Sequence, residues 1–122
     1  MFVGVQRLVL QIPGARSLKD RRHVVRSFKD RIHSRLHVSI AEVGDLDHPQ
    51  HATLAVAVVS NDAAVCDEVL AHVAQMASSL ADAVLADRAT EIVPFGFGGS
   101  GIRGGIEQVG KGQDWLESED ST

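Results

Sequence analysis

Residues 52–62, ATLAVAVVSND, hold the pattern on which the fold turns. Leu54, Val56 and Val58 alternate with Thr53, Ala55, Ala57 and Val59, and a period of two is that of a strand whose successive side chains take opposite faces. Ser60-Asn61-Asp62 comes next, a run of short polar side chains able to cap a helix by accepting from the N–H groups of its first turn. A helix over about 63–80 follows, with Val65, Cys66, Val69, Val73, Met76 and Leu80 as its expected buried stripe.

Working outward, residues 37–43 alternate weakly and are joined to 52–59 by a loop, Gly44 to His51, whose Asp45, Asp47 and Pro49 suit a hairpin longer than the tightest kind. The start of the chain, Phe2 to Ile12, is dense in β-branched and aliphatic residues and stops at Pro13-Gly14, a strand followed by a turn. Ser17 with Asp20 three positions on marks a helix start, and Leu18, Val25, Phe28, Ile32 and Leu36 recur at three- and four-residue spacing, which predicts a helix over 18–35. A last strand is expected over 83–93, where Val84, Leu85, Ile92 and Val93 are apolar and Pro94 ends the run.

Strand, helix, hairpin, helix, strand is most simply folded as a four-stranded antiparallel sheet with both helices on one face, an α+β sandwich of βαββαβ order with two right-handed crossovers. No helix remains to cover the other face. Because that face keeps small apolar side chains, it is expected to pack on a second subunit or another partner, with a homo-oligomer favoured.

At 122 residues and 44% hydrophobic composition the chain suits one domain with a real core. Cys66 is the single cysteine, so no internal disulfide forms; a reducing compartment and an inert place on the buried face of the second helix are expected. There is no apolar run near the roughly 18 residues a membrane span needs and no signal-peptide pattern, so a cytoplasmic protein without a membrane partner is expected. The domain is expected to span residues 1–93. Eight of the eleven glycines fall between Gly96 and Gly112, and Asp114, Glu117, Glu119 and Asp120 crowd the end, so 94–122 reads as a flexible tail. Within it Phe95 to Gly101 has the look of a phosphate-cradling loop, but Ile102-Arg103-Gly104-Gly105 is unsuited to the helix such a loop needs.

The net charge of −4 conceals an uneven distribution. Eight of the twelve Lys and Arg residues lie between Arg16 and Arg35, opposed there by Asp20 and Asp30 alone, which makes that stretch +6 and the remainder −10. At about 100° per residue, Lys19, Arg22, Arg26, Lys29 and His33 fall within about 80° of one another beside the apolar face of the first helix. Arg31 and Arg35 lie on the opposite flank, and Asp20, Ser27, Asp30 and Ser34 point toward water. Several cations repeated along one helix are what a phosphate backbone requires; a solvated helix face with long stems covering core edges is the plainer reading of the same residues.

The strings Ile12-Pro13, Ser17-Leu18-Lys19-Asp20-Arg21-Arg22, Val38-Ser39-Ile40-Ala41-Glu42-Val43 and Ala52 to Asp62 resemble the YlxP-like family, a bacterial domain-of-unknown-function family, over roughly residues 1–93. The resemblance implies a ferredoxin-like fold and, from the usual gene neighbourhood of such proteins, a link to translation or ribosome maturation. It implies no reaction. The family usually has Lys where Arg21 stands and an aromatic where Pro49 stands.

The remaining polar residues define no catalytic centre. Arg7 and Asn61 invite comparison with acylphosphatase, a ferredoxin-like hydrolase, yet Arg7 falls inside a strand and Asn61 in a helix cap. Glu42 lacks a His or Cys partner at readable spacing and reads as an edge-strand salt-bridge residue. Asp45, Asp47, His48 and His51 share a loop that could supply metal ligands, although a polar loop is the commoner reason for such residues and no metal is expected. No cofactor or small-molecule substrate is expected either. The RNA-recognition motif stacks bases on aromatics of its two central strands; Phe2 is the only aromatic there, so sequence-specific reading on the sheet is not expected. The expected function is an RNA- or ribosome-associated module that holds structured or ribosomal RNA by its phosphates through Lys19, Arg22, Arg26, Lys29 and His33. The alternative is a protein-interaction or oligomerisation module that docks an acidic protein partner.

Overall fold

β1 (Phe2–Gln11) lies inside the sheet, paired antiparallel with β3 (His51–Ser60) on one side and with β4 (Val84–Pro94) on the other. β2 (Ser39–Gly44) pairs antiparallel with β3, so the strand order is β2-β3-β1-β4. Helices α1 (Leu18–Arg35) and α2 (Ala63–Ser78) complete the order βαββαβ. The computed structural model describes residues 1–44 and 46–96. The fold is the ferredoxin-like α+β sandwich that the strand and helix periodicities predict. The tail expected from Pro94 onward lies, from residue 97, outside the described residues; Pro94 itself is the last residue of β4.

The alternation of β1 and β3 sorts the sheet into two faces. Leu8, Leu10, Leu54 and Val56 are fully enclosed on the helix side, while Val5, Ala55, Ala57 and Val59 occupy the other. Phe28 and Ile32 of α1 and Cys66, Leu70 and Val73 of α2 close over the first set. Each such side chain contributes on the order of 1.5–3 kcal/mol, enough together to hold a domain of this size without covalent staples. Cys66 is a free, enclosed thiol with its Sγ toward the Phe2 carbonyl, in keeping with a packing role.

Local signals fix the helix ends. Ser17 is the N-cap of α1, its hydroxyl accepting from Asp20 N–H at 3.2 Å, and the Asp20 carboxylate accepts in turn from Arg16 N–H at 2.9 Å. Asp62 caps α2 by accepting from Ala64 N–H at 2.9 Å; Asn61, which also suited a cap, stands one residue before it and is exposed. The buried stripe of α2 differs from the expected one: Leu70, Ala74 and Ala77 are buried, Val69 and Leu80 are only half-buried, and Val65 is exposed. The small residues of α2, together with Gly4 beneath them, let the helix approach the sheet closely, which rotates Leu70 inward and Val65 outward. A Cβ added at Gly4 would stand 3.1 Å from Val58 Cγ1 and 3.2 Å from Cys66 Cβ. Gln6 strengthens the same seam from the strand below, its amide nitrogen donating to the Leu70 carbonyl at 2.9 Å and to Thr90 Oγ1 at 3.1 Å.

Candidate functional site

The candidate surface is built on α1, whose buried side consists of Arg21, Val24, Val25, Phe28 and Ile32. Arg21 is the one charged residue in this set, at 1% exposure. Its Nε donates to the His51 carbonyl at 2.6 Å, and its Nη2 is hydrogen-bonded and ion-paired to Glu42 Oε1. Glu42 reaches it because its cross-strand partner is Leu54, which faces the helices; the carboxylate therefore projects from edge strand β2 to the underside of α1. The salt-bridge reading of Glu42 holds, and its partner is one of the eight Lys and Arg residues that make the stretch from Arg16 to Arg35 basic. With Arg21 enclosed and neutralised, the charge that α1 shows to water is one unit lower than its sequence total.

Four of the five stripe residues converge. Arg22, Arg26, Lys29 and His33 line one groove together with Val25, Asp30 and Glu42. Arg22, Arg26 and His33 are exposed and Lys29 is half-buried. Lys19 is set apart: it borders a neighbouring hollow with Asp20, His23 and Asp82. The ion pairs among the described residues are Arg7–Asp87 and Arg21–Glu42, so none of the five is matched to an acid there. Glu42 at the groove's edge is already committed to Arg21 and Asp30 is a single carboxylate, so cations dominate the lining. Arg31 and Arg35 lie, as their helical angle requires, on the flank facing α2.

Other candidates resolve differently. In the hairpin loop His48 and His51 stack face to face with ring centroids 4.1 Å apart, and His48 Nδ1 accepts from Gln50 N–H. Among the described residues, which exclude Asp45, no group of three or more His, Cys, Asp or Glu side chains is arranged to hold a metal. Arg7 stands on the open face of the sheet, 3.0 Å from Asp87. Phe2, the one aromatic of the two central strands, packs against the core. Among the described strand residues the open face carries no Phe, Tyr or Trp ring, and the imidazole of His51, at the start of β3, is stacked on His48. That face instead exposes Val5, Val43, Val59 and Val93 at 44%, 57%, 64% and 40%.

Arg21 is what the sequence reading missed. The signal was present, since at about 100° per residue it falls in the middle of the arc defined by Val25, Phe28 and Ile32. The groove partner Glu42 has no such signal, because its position depends on strand register.

Fold and surface together define a class: a ferredoxin-like α+β domain with a cationic groove between its first helix and the adjacent sheet edge. The model of the family described as "Protein of unknown function (DUF503)" matches residues 3–90, and the chain belongs to that family. No curated protein matches the chain significantly. Among the described residues no helix is long and apolar enough to cross a membrane.

Proposed function

We propose that this protein is a non-catalytic RNA- or ribosome-associated binding module, acting in translation or ribosome maturation, that grips phosphates with the groove side of α1. The observation that carries the reading is the convergence of Arg22, Arg26, Lys29 and His33 on one open groove with no ion pair among the described residues. Guanidinium forks suit phosphate oxygens, and the repeat of cations along a helix suits the repeat of charge along a backbone. Such contacts position a nucleic acid without reading its sequence, in keeping with a sheet face whose described strand residues include no Phe, Tyr or Trp. Lys19 lies close enough along the helix to lengthen the same track. Recovery of ribosomal RNA by crosslinking in cells, lost on the double change Arg22→Glu with Arg26→Glu, is the expected outcome. Recovery that is equal for the wild type and the double variant contradicts it.

The open sheet face favours a second reading, self-association with another copy of this chain. Exposed valines on all four strands make an apolar surface that a second sheet could cover at a spacing of about 10 Å, and the Arg7–Asp87 pair gives it charges of both signs. Sedimentation at tens of micromolar should show a dimer that Val5→Asp with Val59→Asp dissociates. A wild-type monomer removes this reading and leaves the first intact.

A further inference from the structure

Arg31 and Arg35 meet side chains of α2 that no sequence pattern joins to them. His72, Gln75 and Ser79, spaced three and four residues apart on α2 and its C-cap, line one open cleft with both arginines and the edge of Met76. Two guanidiniums, an amide and an imidazole can all present donors to an anion there. The Ser79 hydroxyl is committed to the Gln75 carbonyl at 2.8 Å. No carboxylate lines the cleft among the described residues, and neither arginine forms an ion pair among them.

The cleft and the groove flank opposite sides of α1, and the exposed crest between them carries Ser27 and Ser34 and no Lys or Arg, with Asp30 at the groove's crest-side rim. A polyanion that uses both flanks therefore finds no row of cations over the helix and must offer two separate rows of phosphates. A helix with its side chains is about 10–12 Å across, so cations on its two flanks need two strands to meet them, and in an A-form duplex the wide, shallow minor groove is the one that leaves both strands open to a helix. A single strand has only one row.

We infer that the α1–α2 cleft is a second phosphate site, and that the two flanks together select double-stranded RNA, one strand on each. This rests on the phosphate reading of the α1 groove. Duplex RNA is recognised mainly by shape and backbone, which needs neither aromatic platform nor base contact.

The test measures binding of a 16-base-pair RNA duplex, each of its single strands, and the corresponding DNA duplex to the full chain. Three proteins are compared: the wild type, Arg31→Glu with Arg35→Glu, and Arg22→Glu with Arg26→Glu. The wild type should prefer duplex RNA to single strand by about tenfold or more, with a logarithmic salt slope near ~−5.4 from six cations. The cleft variant should lose that preference, keep its single-strand affinity within about twofold, and show a slope near ~−3.6. The groove variant should lose both substrates. Circular dichroism and melting temperature should be unchanged in both variants, since all four positions are exposed. A cleft variant that binds duplex as the wild type does, or loses both substrates equally, overturns the inference and spares the groove. A groove variant that binds normally while the cleft variant loses duplex overturns the groove reading and spares the cleft. A wild type that binds neither RNA overturns both, and a DNA duplex held as tightly as the RNA one overturns the assignment to RNA.

Discussion

Arg21 shows how a single residue can belong to the charge pattern of a helix and yet be excluded from its surface. Its guanidinium is enclosed, but one edge meets the His51 carbonyl and the other Glu42, so the desolvated charge has a counter-charge and directed acceptors. Removing one member of such a pair leaves the other unmatched, at a cost of about 3–5 kcal/mol. Arg21→Ala should therefore lower the denaturant midpoint severely, whereas Arg22→Ala, one residue away and exposed, should change stability by less than about 0.5 kcal/mol. Equal effects at the two positions would contradict the assignment of Arg21 to the core. Arg21→Lys keeps the charge but gives up the planar fork that spans both acceptors, and an intermediate loss is expected.

At the scale of the element, α2 and β1 are matched by small residues. Gly4 lies where Leu70, Val58 and Cys66 all come near, so Gly4→Ala should cost about 1–3 kcal/mol through overpacking, read by chemical denaturation. A neutral result would show that α2 can shift without penalty. The N-cap of α2 is a separate contribution: Asp62→Ala should cost about 1 kcal/mol, and Asn61→Ala much less. Much of this level was legible in the sequence. The alternation over 52–59 gave the correct faces of β3, and Ser17 and Asp62 both fall where caps were expected. The miss was rotational, with Val65 placed inside α2 and Leu70 outside. A stripe that mixes alanines with branched residues has no unique apolar centre by hydrophobicity alone, and packing distance to Gly4 decides it. Register lies further from sequence: that Glu42 points under α1, opposite Leu54, follows from pairing with β3 and from the irregularity between Glu42 and Gly44.

For the whole molecule, the same architecture separates three surfaces. The helix-facing side of the sheet is closed by α1 and α2, the opposite side is apolar and open, and cations gather on the two flanks of α1. The groove was half legible: helical angle alone brought Arg22, Arg26, Lys29 and His33 together, while Lys19 within the same arc borders a different hollow with Asp82. The cleft with His72 and Gln75 could not be read from sequence, because it requires the packing of one helix against the other. On the proposed reading, this division of surfaces would let the domain hold RNA by its helices while its sheet is free to meet a second copy. If both readings hold, a dimer would present two cationic tracks on opposite outer faces.

The central claim is that unmatched cations on the groove side of α1 hold phosphates. It is tested most directly by the dependence of single-stranded RNA affinity on salt. Four neutralised phosphates give a plot of log K against log salt concentration a slope of about −3, and Arg22→Glu with Arg26→Glu should flatten it toward zero as binding is lost. Affinity in the wild type that does not change between low and physiological salt, or a slope that the double variant leaves unaltered, would contradict the account.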